Sequence, residues 1–165
     1  MTAKPRSKAN TVVVLAYGNP SRQDDGLGPA LAEALEHEAL PNVTIDIDYQ
    51  LTIENAAQVA EHDTVIFVDA AVDGREPFYF RKVEPKESAS FSTHSVEPEA
   101  VLFLAKTCFD ASPSAYVLGI RGYDFEGFGE SLSGQAQSNL TEALDFINNV
   151  VLSGNFEQAV TEARN

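Results

Sequence analysis

Three side chains that could share a metal ion or a proton stand far apart in this chain. Asp25 lies in GNPSRQDDGLG (18–28), Asp69 in VIFVDAAVDG (65–74) and His94 in FSTHSVEP (91–98). Two carboxylates and one imidazole form the ligand set of a borderline divalent cation such as Zn²⁺ or Ni²⁺, whereas a hard oxygen-seeking ion gains little from the histidine. Each residue also has a plainer reading. Asp24 and Asp25 repel each other side by side, and either could cap the helix that follows, where an acidic group is worth about 0.3–1 kcal/mol. Asp69 ends an apolar strand, and a carboxylate entering a core edge costs free energy unless it is paired. His94 taken alone reads as a loop residue or a cap. The conjunction of the three points to a site.

The glycine-rich loop fits other chemistries less well. It contains neither the Gly-Lys-Ser/Thr of a phosphate loop nor the GxGxxG of a dinucleotide site. Its acidic pair repels phosphate at the helix start where an anion would otherwise sit, and Arg22 is the one local cation. A nucleoside- or phosphate-binding enzyme on the same scaffold is therefore the weakest option. No GxSxG elbow occurs, and the single Cys108 has no base beside it in sequence, which disfavours a covalent hydrolase. Cys108 is expected on the buried stripe of a helix. His37 and His62 fall on polar helix surfaces or in loops and receive no role.

The elements that must bring the trio together can be read from hydropathy. TVVVLAY (11–17), TVIFVDA (64–70) and AYVLGIR (115–121) are near-continuous apolar runs, as expected of strands covered on both faces. VTIDIDY (43–49) alternates and FYFRKV (78–83) is partly charged, so both are placed at sheet edges. Helices are expected behind Gly26 with Leu27, Leu31 and Leu35 on one face, over 53–61, from Pro98 with Val101, Ala105 and Cys108 inward, and from Ala136 to Val151. Seven residues separate Ala70 from Phe78, too few for a parallel crossover, so strand four runs antiparallel. The 13 residues from Glu84 to Val96 can climb the height of the sheet and return His94 to the end where Asp25 and Asp69 lie. The expected fold is α/β, a three-layer α/β/α sandwich on a five-stranded mixed sheet of order 2-1-3-5-4. Ligands in such sheets bind where the strand order reverses, outside the carboxyl ends of the strands.

Composition bounds the rest. At 165 residues, with 44% hydrophobic and 22% charged, one globular domain over 11–153 is expected, with a disordered tail at 1–10 and a polar C-terminal tail, or frayed helix, at 154–165. The formal net charge of −14 argues against nucleic acid and anionic membrane surfaces and permits metal cations and basic protein segments. No apolar run reaches a membrane span and no signal-type core stands apart from the first strand, so a cytoplasmic protein is expected.

In GNPSRQDDGLGPALAEALE, VIFVDAAVDG, STHSVEP and LGIRGYDFEGFGESLS, taken in that order, the chain resembles the maturation endopeptidases of nickel–iron hydrogenases over roughly residues 11–152. That resemblance implies a protease that removes a short C-terminal extension from the hydrogenase large-subunit precursor once nickel has been inserted. It also implies that Asp25, Asp69 and His94 are nickel ligands, and it leaves the nucleophile open; Asp25 and Asp69 are candidates for the catalytic carboxylate because a carboxylate there could activate a water. The nickel is supplied by the precursor, zinc or cadmium is expected to substitute in vitro, and a monomer that meets its precursor transiently is expected. Some members of the family carry Glu where Asp25 stands. Many have a DGGT-like turn after strand two, where this chain reads YQLTIEN, a segment expected to help choose the substrate. The alternative function is a non-enzymatic nickel-checkpoint chaperone, or docking module, for the same precursor.

Overall fold

The computed structural model of the chain describes residues 10–87 and 96–163. The strands are β1 (Val12–Tyr17), β2 (Val43–Asp48), β3 (Thr64–Ala71), β4 (Phe78–Lys82) and β5 (Ser114–Arg121). They form one sheet of order β2-β1-β3-β5-β4, in which only the β4–β5 pair is antiparallel. A short 3-10 helix (Gln23–Gly26) leads into α1 (Leu27–Glu36). The remaining helices are α2 (Asn55–Ala60), α3 (Pro98–Phe109), α4 (Gly134–Ser153) and α5 (Phe156–Glu162). This is the three-layer α/β arrangement and strand order that the connection lengths require.

Alternation along the strands divides the interior into two cores. Val12 and Val14 of β1, Ile66 and Val68 of β3 and Leu118 of β5 meet α1, α4 and α5 through Leu31, Leu35, Ile147 and Phe156. Their neighbours Val13, Leu15, Val65, Phe67 and Val117 face the other way, onto Val59 of α2 and Val101 and Leu102 of α3. A strand buried on both faces must be apolar at successive positions, which is why β1, β3 and β5 read as unbroken runs. In β2 only Val43, Ile45 and Ile47 reach a core, while Thr44 and Asp48 are exposed, so the alternating strand lies at an edge.

Two expectations give way. Cys108 is exposed, not buried on the stripe of Val101 and Ala105. The last turn of α3, residues 106–109, stands exposed on every side before the chain leaves through Asp110 at φ 51°, so nothing remains there to cover a stripe. The segment after Gly154, expected as a polar tail or a frayed helix, forms the docked helix α5. Its Phe156, Ala159 and Val160 are buried, and Phe156 stacks on Tyr116 with ring centroids 5.4 Å apart. Three apolar residues at helical spacing suffice for seven residues to close the lower corner of the first core.

Replacing Phe156 with Ala removes that closure, and the expected loss is about 3 kcal/mol of unfolding free energy, measured by urea denaturation. A change within 0.5 kcal/mol would return 154–165 to the status of a tail.

Candidate functional site at the carboxyl edge of the sheet

The chain leaves β1 at the point where β2 lies on one side and β3 on the other, and the 3-10 helix that follows packs against β3. The sequence makes this tight departure possible at two glycines. Gly18 has φ +145°, and a side chain there would run into the carbonyl of Asp25. A Cβ on Gly28 would lie 2.6 Å from the Tyr17 carbonyl and 2.9 Å from that of Val68, so α1 can start directly on the ends of β1 and β3 only with glycine there.

The adjacent carboxylates then separate. Neither caps α1, whose N-cap position is held by Gly26. Asp24 is fully buried and turns toward the segment after β5. Its Oδ2 accepts from the backbone N–H of Tyr123 (2.8 Å) and Asp124 (2.9 Å) and from the hydroxyl of Ser133 (2.7 Å), and its Oδ1 accepts from the N–H of Ser133 (2.8 Å). Burial alone would raise its pKa, but these donors outweigh it and hold the carboxyl below its ordinary value. Asp24 is thus a structural tie. Asp25, half-buried, points elsewhere, and its Oδ2 accepts the N–H of Asn19 at 2.8 Å.

Asp69 stands near the end of β3, on the face that looks toward α2 and α3. Strand register carries Tyr17 of β1, Gly119 of β5 and Tyr79 of β4 onto the same face, beside or across from it. Gly119 leaves room that the ring of Tyr79 fills. Burial, opposed by the N–H of Ala70 at 2.8 Å and reinforced by the charge of Asp25, pushes the Asp69 carboxyl up to about 7. Burial and then the charge of Asp69 likewise raise the Tyr17 phenol, with smaller contributions from Tyr79 and Glu99. Since Glu99 lies in the first turn of α3, its influence on Tyr17 sets the start of that helix near the carboxyl end of β1.

The structure therefore brings Asp25 and Asp69 into electrostatic contact at one rim, and His94 lies outside the described residues. Among the described residues no three His, Cys, Asp or Glu side chains group as a metal site. Among the described residues each of the two carboxylates engages one oxygen with a backbone N–H, which leaves the other for a further partner such as a cation or a proton. A carboxyl titrating near neutrality is matched to general acid–base work. His37 ends α1, and His62 bonds the carbonyl of Gln58 at 2.8 Å, away from this rim. Sequence reasoning did not separate the roles of Asp24 and Asp25 and did not find Tyr17 or Tyr79. The register of apolar alternation was the available signal for the tyrosines.

This fold is that of the hydrogenase maturation proteases. The chain superposes on hydrogenase maturating endopeptidase HybD from E. coli with a TM-score of 0.70 and 19% identity, covering 88% of this chain and 94% of that one. On the nickel–iron hydrogenase maturation protease HycI from Thermococcus kodakarensis the TM-score is 0.68 at 23% identity, again over 88% and 94%. In sequence it is 26% identical over 142 residues to the hydrogenase expression/formation protein HupD of Thiocapsa roseopersicina. That match takes in 81% of this chain and 64% of the length of the relative. No family model matches the chain.

Asp24 and Asp69 should respond oppositely to neutralisation. Asp24→Asn puts an amide where only donors converge and should lose about 2–4 kcal/mol of stability. Asp69 takes up a proton in the folded state between roughly pH 4 and 7 that the unfolded chain lacks, so its burial costs stability increasingly as pH rises through that window. Asp69→Asn should therefore stabilise the fold by about 1–3 kcal/mol above pH 7, a gain that disappears below about pH 4. Urea melts of both variants at pH 4 and pH 8 check the pair, and a pH-independent Asp69→Asn difference would contradict the raised carboxyl.

Proposed function

We propose that the chain is an endopeptidase that removes the C-terminal extension of a nickel–iron hydrogenase large-subunit precursor in the cytoplasm. On docking, the nickel held by the precursor completes its coordination with Asp25, Asp69 and His94. The observation that carries this reading is the placement of Asp69 at the end of β3, within reach of the charge of Asp25, at the point of strand-order reversal in the fold of the hydrogenase maturation proteases. Precursor without metal lacks the cation that offsets two adjoining negative charges, so the metal acts as a checkpoint for cleavage.

Peptide hydrolysis needs one group to take a proton from water as its oxygen bonds to the scissile carbonyl carbon. A proton must then pass to the departing amine as the C–N bond breaks. The Asp69 carboxyl lies near 7 in the metal-free chain; bound to the nickel through one oxygen it is an anion, and its second oxygen is placed to accept the proton of the attacking water. Asp25 is held in place by the N–H of Asn19. The protein is proposed to act as a monomer that binds its precursor transiently.

The test mixes purified protein with nickel-loaded and nickel-free precursor and resolves precursor from product on a gel. Cleavage is expected only with nickel. Asp25→Asn, Asp69→Asn and His94→Ala should each slow it about 100-fold or more while keeping the native circular dichroism spectrum. Normal processing by Asp69→Asn would remove that residue from the site. Stable binding of loaded precursor without cleavage would replace the peptidase with a docking chaperone.

A further inference from the structure

Among the described residues the large apolar side chains left exposed are Tyr49, Ile53, Val72, Phe109, Phe128 and Leu152. Phe109 and Leu152 close α3 and α4 at the lower edge of the sheet. The other four leave β2, β3 and β5 at the carboxyl edge, the rim that holds Asp25 and Asp69. Tyr49 is 70% exposed and Phe128 88%, so neither ring is seated on the body of the protein.

These loops are joined to one another. The N–H of Gly18 donates to the Asp48 carbonyl at 3.1 Å, which sets Tyr49 beside the loop that carries Asp25. The N–H of Gly122 donates to the Ala71 carbonyl at 2.9 Å, tying the residue before Val72 to the segment after β5. That segment is in turn paired with the first loop, since Gly129 donates to the Ser21 carbonyl and Gln23 to the Gly129 carbonyl, both at 2.8 Å. The apolar side chains thus project from one hydrogen-bonded rim around the carboxylates. Exposed large apolar groups gathered in one place mark an interaction surface, where scattered ones need no explanation.

Charge selects the partner. Asp48, Glu54, Asp73, Asp124, Glu126 and Glu130 stand exposed among these residues, against the cations Arg22 and Arg75. Nucleic acid and anionic lipid are repelled by such a field, whereas a protein face with an apolar centre and a basic margin is drawn to it.

We propose that Tyr49, Ile53, Val72 and Phe128 form the docking ring for the folded body of the precursor, with the acidic side chains between them engaging basic residues that flank its scissile segment. The proposal rests on the endopeptidase reading and deepens it. It divides the labour of the rim, in that the carboxylates act on the metal and the peptide while the ring selects the protein that carries them.

Binding of nickel-loaded precursor by calorimetry and its cleavage kinetics test this together. Tyr49→Ser combined with Phe128→Ser is expected to weaken binding and raise KM roughly tenfold or more, with kcat within about twofold. Glu126→Lys combined with Glu130→Lys should weaken binding and flatten its salt dependence. Phe109→Ser combined with Leu152→Ser, at the far edge, should match the wild type. Wild-type binding by both rim variants would overturn the proposal, as would equal weakening by the far-edge pair. A precursor bound through the ring but left intact would uphold the docking surface and remove the peptidase reading.

Discussion

The architecture of the rim depends on one buried carboxylate. Asp24 gathers donors from Tyr123, Asp124 and Ser133, about a hundred residues away along the chain, and binds the loop after β1 to the connection between β5 and α4. A hydroxyl or an amide could not replace it, because every group that converges there donates and only an ionised carboxylate accepts on both oxygens. The same Ser133 whose hydroxyl bonds Asp24 is the N-cap of α4, accepting from the N–H of Ala136 at 3.3 Å. The start of a twenty-residue helix and the course of the first loop are therefore fixed by a shared set of hydrogen bonds.

Three aspartates of one kind thereby acquire three characters from their surroundings. Asp24 is saturated with donors and held as an anion; Asp25 is half-buried and anchored by a single N–H. Asp69 is partly buried with one N–H against the combined pressure of desolvation and a like charge. The fold stabilises the first and strains the last. Such a contrast between neighbouring carboxylates is what the proposed function would draw on, since among the described residues Asp24 is supplied with several donors and Asp69 with one.

Much of this was legible in the sequence. Unbroken apolar runs placed β1, β3 and β5 in the centre, alternation put β2 at an edge, and a short connection forced β4 antiparallel. Together these constraints left one economical strand order. The gathering of Asp25 and Asp69 at one rim followed from that order alone. What escaped was decided by contacts that local pattern does not encode. Asp24 and Asp25 are identical in type and adjacent, and which of them turns inward depends on donors near residues 123–133. Cys108 fits a helical stripe whose last turn is exposed, and α5 is largely polar in composition yet docks through Phe156, Ala159 and Val160.

The charge pattern gives the rim its logic as a whole. An acidic protein that places two further carboxylates in electrostatic contact raises the energy of its own free state, and burial at Asp69 prevents water from screening that repulsion fully. The energy falls when a proton or a multivalent cation arrives, and a divalent ion removes more of it than a proton does because it meets both charges at once. On the proposed function, a site built this way would respond little to an uncharged peptide and strongly to one that brings positive charge to the carboxylates. The acidic loops around it would extend the same bias outward.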